Sequence, residues 1–324
     1  VIFKRMLGAF GVGGPTVDTV LADGRVEPGG LLTGEVRLKG GDFDADIEHV
    51  TLGLVARVEL EHGDGEHEGL GEFLRFQVSG PLTLRQGEER ALTFQVSLPW
   101  ELPVTEIAGR HLTGMALGVR TEVAIAKAVD KGDLDPLSVV PLPSQARVLQ
   151  AFAQLGFHFR SADLEVGRLF GVSQELPFYQ EIEFYPPAQH AGIVNEVELT
   201  FVAAPHGLEI ILEADKRGGG YSGDAVGRFQ LSHDQVLHTD WASEIDRWLH
   251  GLSRHGFAGH GTYPGYEQHG GHHEHGGHQG GHHEHREGPG WGAVAAAGAA
   301  GLVGGFVVAE VAEEIFGEEE AEED

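Results

Sequence analysis

Hydrophobic and polar side chains alternate along the first half of the chain with a period of two. Val50, Leu52, Leu54, Ala56, Val58 and Leu60 fall on one face of an extended segment, and Thr51, Arg57, Glu59 and Glu61 fall on the other. This is the pattern of a strand with one buried face. Similar stretches run from Leu32 to Lys39, Phe73 to Val78, Leu92 to Leu98 and Val119 to Ile125, with short Gly- and Pro-rich turns between them. Strands at that spacing predict an antiparallel sandwich. The segment His62-Gly63-Asp64-Gly65-Glu66-His67 predicts a hairpin turn, because Asp-Gly tolerates the positive torsions that tight turns need.

The alternation lapses over residues 131–143, which hold three prolines and are expected to form a linker. Asp133, Asp135 and Pro136 would act there as a hinge. Helical spacing follows: Ser144 is a candidate cap, Val148, Leu149, Phe152 and Leu155 share a face, and Gly156 can close the helix. Strands then resume. Phe178, Ile182 and Phe184 alternate with Glu181 and Glu183, and comparable patterns around Val197–Phe201 and Leu208–Ala214 predict a second sandwich. After Thr239 or Asp240 as a cap, Trp241, Ile245, Trp248, Leu249 and Leu252 form the apolar face of another helix, placed to seal an edge or receive a partner.

The expected fold is therefore mainly β: two tandem antiparallel β-sandwich domains, 1–130 and 144–252, joined by the linker 131–143, with a few short helices. A His/Gly-rich linker (253–290), an Ala/Gly-rich helix (291–317) and an acidic tail (318–324) complete the chain.

Charge narrows the choice of partner. Against 22 basic side chains stand 50 acidic ones, a net charge of -28, which repels phosphate backbones. Nucleic acid is excluded as an expected partner, and protein partners, including further copies of the chain, are expected instead. No cysteine occurs among the 324 residues, which removes thiol catalysis and thiolate metal sites and suits a cytoplasmic address. Residues 1–14 carry two basic side chains before a glycine-broken apolar run and show no cleavage site, so no export signal is read there. There is no phosphate loop, no Gly-x-Ser-x-Gly elbow and no His-Glu-x-x-His helix. No catalytic residue and no required cofactor are therefore expected.

Two features of the last third carry candidate chemistry. Ten of the twenty histidines lie in residues 255–285, and Gly271-His272-His273-Glu274-His275 recurs as Gly281-His282-His283-Glu284-His285. Imidazoles at this density suit Ni, Zn or Cu, with His269, His272, His273, His275, His278, His282, His283 and His285 as candidate ligands. The same tract also reads as a plain flexible linker. Residues 292–309 carry no charge, near the lower length limit of a membrane span, yet hold few strongly apolar side chains. Small residues at Ala297, Gly301, Gly305 and Ala309 recur every four positions. A smooth helix face of this kind favours self-association or membrane contact over a span.

The order of particular motifs adds a resemblance. Val26-Glu27-Pro28-Gly29-Gly30-Leu31-Leu32-Thr33-Gly34-Glu35-Val36, Leu92-Thr93-Phe94-Gln95-Val96-Ser97-Leu98-Pro99 and Val119-Arg120-Thr121-Glu122-Val123 resemble the amino-terminal sandwich of the arrestin fold. Leu155-Gly156-Phe157, Leu176-Pro177-Phe178-Tyr179-Gln180-Glu181-Ile182-Glu183-Phe184 and Leu212-Glu213-Ala214-Asp215-Lys216-Arg217 are similar to the bacterial sporulation-control family called Spo-zero-M (SpoOM). Over residues 1–250 the resemblance implies an arrestin-like, intracellular and regulatory protein, an adaptor working through protein contacts in differentiation or cell-cycle control. It supplies no catalytic residue. Metal storage or sensing through the histidine tract, and a membrane-associated scaffold built on the small-residue helix, are the competing expectations. If the tract works in metal storage or sensing, deleting residues 255–287 is expected to change growth of the native cell under metal excess or limitation.

Overall fold

The computed structural model describes residues 13–62, 65–126, 131–216, 225–254 and 307–310. The first unit contains β1 (Thr16–Leu21), β2 (Arg25–Val26), β3 (Leu31–Lys39), β4 (Ala45–His62), β5 (Gly65–Ser79), β6 (Leu82–Leu84), β7 (Glu89–Ser97), β8 (Glu106–Ile107), β9 (Arg110–His111), β10 (Leu117–Ile125), β11 (Lys131–Pro136) and β12 (Ser138–Val139). The second contains α1 (Pro143–Leu155), β13 (His158–Val166), β14 (Phe178–Tyr185), β15 (Val194–Ala204), β16 (Gly207–Lys216), β17 (Ala225–Leu231), α2 (His233–His238) and α3 (Trp241–Arg254). A last strand, β18 (Val307–Glu310), returns to the first unit.

The mainly β fold expected from the alternating pattern is present. In the first unit β1, β3 and β7 form one antiparallel sheet. Opposite it, β4 pairs with β5, β6 and β10, and β11 extends the sheet beyond β10. Val50, Leu52, Leu54, Ala56 and Val58 of β4 are all buried, as their period-two spacing predicts. Val17, Leu32, Val36, Leu38 and Phe94 come from the facing sheet into the same core. The β4–β5 hairpin also forms, with His62 opposite Gly65. Its residues 63 and 64 lie outside the described residues.

In the second unit β13 to β17 form an antiparallel meander in chain order. Three helices supply the layer over its apolar face. Phe152 of α1 stacks on Phe184 of β14 with ring centroids 4.5 Å apart, and Trp241 of α3 meets Phe229 of β17 edge-on at 5.3 Å. The predicted face of α3 is the packed one: Trp241, Ile245, Trp248 and Leu249 are buried, and Asp240 accepts hydrogen bonds from the Ser243 amide and hydroxyl. At α1, Gly156 closes the helix with φ 86°, as expected. The start differs from expectation. The cap position belongs to Leu142, whose amide donates to the Gln145 side chain at 2.9 Å, while Ser144 lies inside the first turn and hydrogen-bonds His233 Nδ1 at 2.8 Å.

Two further expectations are corrected. Residues 131–136, expected to belong to the linker 131–143, are a strand: Asp133, Asp135 and Pro136 pair with Thr121, Val119 and Gly118 of β10. An edge strand needs only one neighbour's ladder, so it forms here without an apolar face of its own. Of the helix expected over 291–317, only 307–310 are described, and they form a strand. Ala309 is paired with Leu70 of β5. Val307 and Val308 favour strands whereas Ala309 and Glu310 do not, and the segment as a whole finds backbone partners along an open edge that a lone helix turn would not supply.

The two units share one core cluster and a continuous hydrogen-bonded sheet, since β13 pairs in parallel with β4 through Glu165 and Glu59. Buried Gln180 locks the seam: its Oε1 accepts from the Val104 amide at 2.9 Å and its Nε2 donates to the Val104 carbonyl at 2.7 Å. Gly114 has φ 96°, and a Cβ there would collide with the carbonyl oxygen of Ala162. Gly109 has φ 80° with open space around it. Gly114→Ala is therefore expected to cost at least about 2 kcal/mol, and Gly109→Ala, which meets torsional strain alone, about 1 kcal/mol. Urea unfolding of the two variants measures the difference.

Candidate functional site

Among the described residues, polar chemistry gathers at four places. The seam between the units holds a crevice lined by Glu101, Leu102, Pro103, Gln145, Gln174 and Gln180, with room for about one water molecule. Its side chains are spent on holding backbone together. Glu101 accepts from the Glu175 and Leu176 amides at 2.8 Å each, and Gln174 Nε2 donates to the carbonyls of Gly167, Leu176 and Phe178. Burial raises the Glu101 carboxyl above its ordinary range, and those two amides partly oppose the rise. A crevice of this size cannot take a metabolite-sized substrate.

The second place is the outer face of the β13–β16 meander, which is crowded with carboxylates. Glu181 and Glu183 sit two apart on β14 and share that face. Glu183 accepts from Ser161 Oγ at 2.6 Å and pairs with Arg160 at 2.8 Å, and Arg160 also pairs with Glu196. Among the described residues, no arginine is paired with Glu181. Burial, then Glu198, Asp163, Glu165 and Glu213, push its carboxyl well above the usual range, so it resists ionisation. This is an electrostatically costly surface rather than a hydrolase pair, which would need a cleft between its carboxyls.

The third place joins a loop to a helix. His190 lies in the turn between β14 and β15, where its amide and that of Ala191 both donate to the Pro187 carbonyl. Its side chain is 1% exposed, and neither ring nitrogen has a hydrogen-bond partner. Leaving such groups unmet costs about 1–3 kcal/mol each. Nε2 lies 3.2 Å from Asp246 Oδ1 of α3, without hydrogen-bond geometry. Burial holds the His190 imidazole below its ordinary range, opposed by the carboxylate of Asp246 and assisted by His250.

The fourth place contains the residues expected as a hinge. Asp133 Oδ2 accepts from the Thr19 amide at 2.8 Å, tying β11 to β1, and Thr19 Oγ1 meets Thr121 Oγ1 at 2.5 Å between the two sheets. Asp135 lies two residues along the same strand with a buried Oδ2 that has no hydrogen-bond partner. Burial, then Asp133 and Asp18, push its carboxyl up to about 7. Asp133, Thr19 and Thr121 fasten the edges of the first sandwich together, and Asp135 sits beside them as a half-buried, like-charged neighbour.

Of the other sequence-derived candidates, the ligand set His269, His272, His273, His275, His278, His282, His283 and His285 lies outside the described residues, as do Ala297, Gly301 and Gly305. The pattern along the chain pointed to none of the residues that structure gathers at the seam or around His190. Only Asp246 and His250, one helical turn apart on the polar side of α3, left a readable signal.

Fold and site thus describe a mainly β protein of two units whose polar side chains brace the seam and edges, with a seam crevice of water size. A family model described as SpoOM protein matches residues 3–218. The chain is 35% identical over 253 residues to the sporulation-control protein spo0M of Bacillus subtilis strain 168, an alignment covering 75% of this chain and 95% of that protein. The crystal structure of Spo0M, sporulation control protein, from Bacillus subtilis matches with a TM-score of 0.66 at 30% identity, covering 74% of this chain and 100% of that one. The chain belongs to the SpoOM family. Among the described residues, no helix is long and apolar enough to cross a membrane.

Asp135 provides a test of the edge contact. A carboxyl raised in the folded state contributes stability that is present below its unfolded value of about 3.9 and lost as pH rises through about 7. Asp135→Asn should therefore match the parent near pH 4 and exceed it by about 1–2 kcal/mol at pH 8, a gain reduced by solvent screening at this half-exposed position. Thermal unfolding across that pH range measures it.

Proposed function

We propose that the chain is a non-enzymatic regulator of sporulation-type differentiation that works as an adaptor, receiving an extended segment of a protein partner along the outer edge of β5. The observation that carries this reading is β18: Val307–Glu310 adds antiparallel to β5, opposite Glu72, Gly71, Leu70 and Gly69. An edge strand offers unpaired amides and carbonyls, and a peptide that adds to it draws affinity from main-chain hydrogen bonds and specificity from alternate side chains. The chain's own segment thus marks an edge that accepts a strand and competes with any partner using the same ladder. Two further points support a contact role. The SpoOM relatives carry a control function in their printed names, and the seam crevice has room for about one water molecule.

The test uses a Bacillus subtilis strain lacking its own spo0M protein. The full chain is expected to restore sporulation to the level of the intact strain. A photo-crosslinker at Glu68, an exposed residue beside the paired stretch of β5, is expected to give protein adducts that increase when Val308→Pro and Ala309→Pro vacate the edge. Failure of a stably accumulated chain to restore sporulation would overturn the sporulation reading. Restoration without adducts would overturn the β5 edge as the contact.

A further inference from the structure

The polar side of α3 and the turn between β14 and β15 meet at three side chains that complement one another chemically. His190 is held from both directions by its backbone: its amide donates to the Pro187 carbonyl at 2.9 Å, and its own carbonyl accepts from the Ile193 amide at 2.8 Å. The ring stacks at 6.3 Å on Phe157 and meets the His250 ring edge-on at 5.5 Å. It is buried, aimed at α3 and without a hydrogen bond at either nitrogen. Asp246 and His250 are one helical turn apart, so both project toward it. One ligand atom from each of the three residues lies within 4.8 Å of the others.

We infer that His190, Asp246 and His250 form a binding site for one divalent transition-metal ion of the zinc class, which pins α3 to the β14–β15 turn. Atoms bound tetrahedrally at about 2.0–2.1 Å stand about 3.3 Å from one another. His190 Nε2 is already 3.2 Å from Asp246 Oδ1, and His250 Nδ1 is 3.3 Å from Asp246 Oδ2. His250 Nδ1 is engaged by the Asp246 backbone carbonyl at 2.8 Å, so closure onto an ion needs a rotation of His250, whose side chain is 53% exposed. Two imidazoles with one carboxylate select zinc-like ions over calcium or magnesium, which take oxygen ligands. Three protein ligands leave a position for water on the open side, where Asp246 is 43% exposed. An ion would also satisfy the His190 Nε2 that burial leaves unmet, the nitrogen that faces Asp246. The depressed His190 imidazole is neutral at ordinary pH, the form in which it carries a lone pair. This site is separate from the histidine tract: His190 falls within the family match over residues 3–218, and its two partners lie beyond it on α3.

The test must silence the tract while keeping the full chain. All ten histidines between residues 255 and 285 are replaced by Asn, and zinc is measured after dialysis against a known free-zinc buffer. One zinc per chain is expected, together with a Tm that rises with zinc concentration. Asp246→Asn and His250→Gln, both on the helix surface and chosen to spare the fold, are each expected to weaken zinc affinity by at least about a hundredfold, since even residues one step removed from an ion cost about 10–100-fold. Both variants should keep the parent Tm without zinc. Zinc X-ray absorption should report two imidazoles. The inference is overturned if the tract-silenced chain retains no zinc, or if it retains zinc with undiminished affinity in both helix variants.

Discussion

Strand β4 is the constraint on which the rest of the structure depends. Its 18 residues extend for roughly 60 Å at the usual rise of a strand, farther than one sandwich requires. It pairs with β6 at its start, with β10 from Ile47 to Ala56, with β5 along most of its length and with β13 near its end. The sheet of the second unit is thereby an extension of the sheet of the first. Separating the units would expose the buried Val104–Gln180 hydrogen bonds and part of a common apolar core, so the two halves support each other.

The second unit solves its burial problem differently from the first. Five consecutive strands present one apolar face, and α1 and α3 cover it with Phe152, Trp241, Trp248 and other large side chains. Covering by helices ties α3 back to strands that begin about eighty residues earlier. Trp241 Nε1 donates to the Val236 carbonyl at 2.9 Å, so α2 and α3 hold as a corner over β16 and β17. The opposite face of the meander pays in electrostatics. Arg160 and Arg228 relieve Glu183, Glu196 and Glu209, while Glu181 is left to resist ionisation through burial and like charges. Charge is thus kept on the face away from the helices, and the apolar contacts with them stay dry.

Much of the fold could be read along the chain because each signal was local. Alternation with period two placed β4, β10 and β14 to β16, since a strand's two faces are set by its own residues. Gly156 marked the end of α1 because only a glycine sits easily at φ 86°. The same reasoning failed at β11, which has a ladder on one side and polar side chains, so its strand state comes from β10 rather than from its own pattern. It failed again at residues 307–310, where Val-Val-Ala-Glu, read as part of a helix, found an open backbone edge.

The sequence by itself determined where apolar faces form, that acidic side chains outnumber basic ones by 50 to 22, and which family the motifs resemble; these follow from periodicity, composition and short motifs. Only the tertiary structure decided that helices would cover the second sheet, that Asp133 would clasp a sheet edge, and that His190 would meet Asp246 and His250. Each of those outcomes depends on residues far apart in the chain. Burial then changes their chemistry: a solvated histidine or aspartate is unremarkable until packing removes its water and sets a particular neighbour beside it.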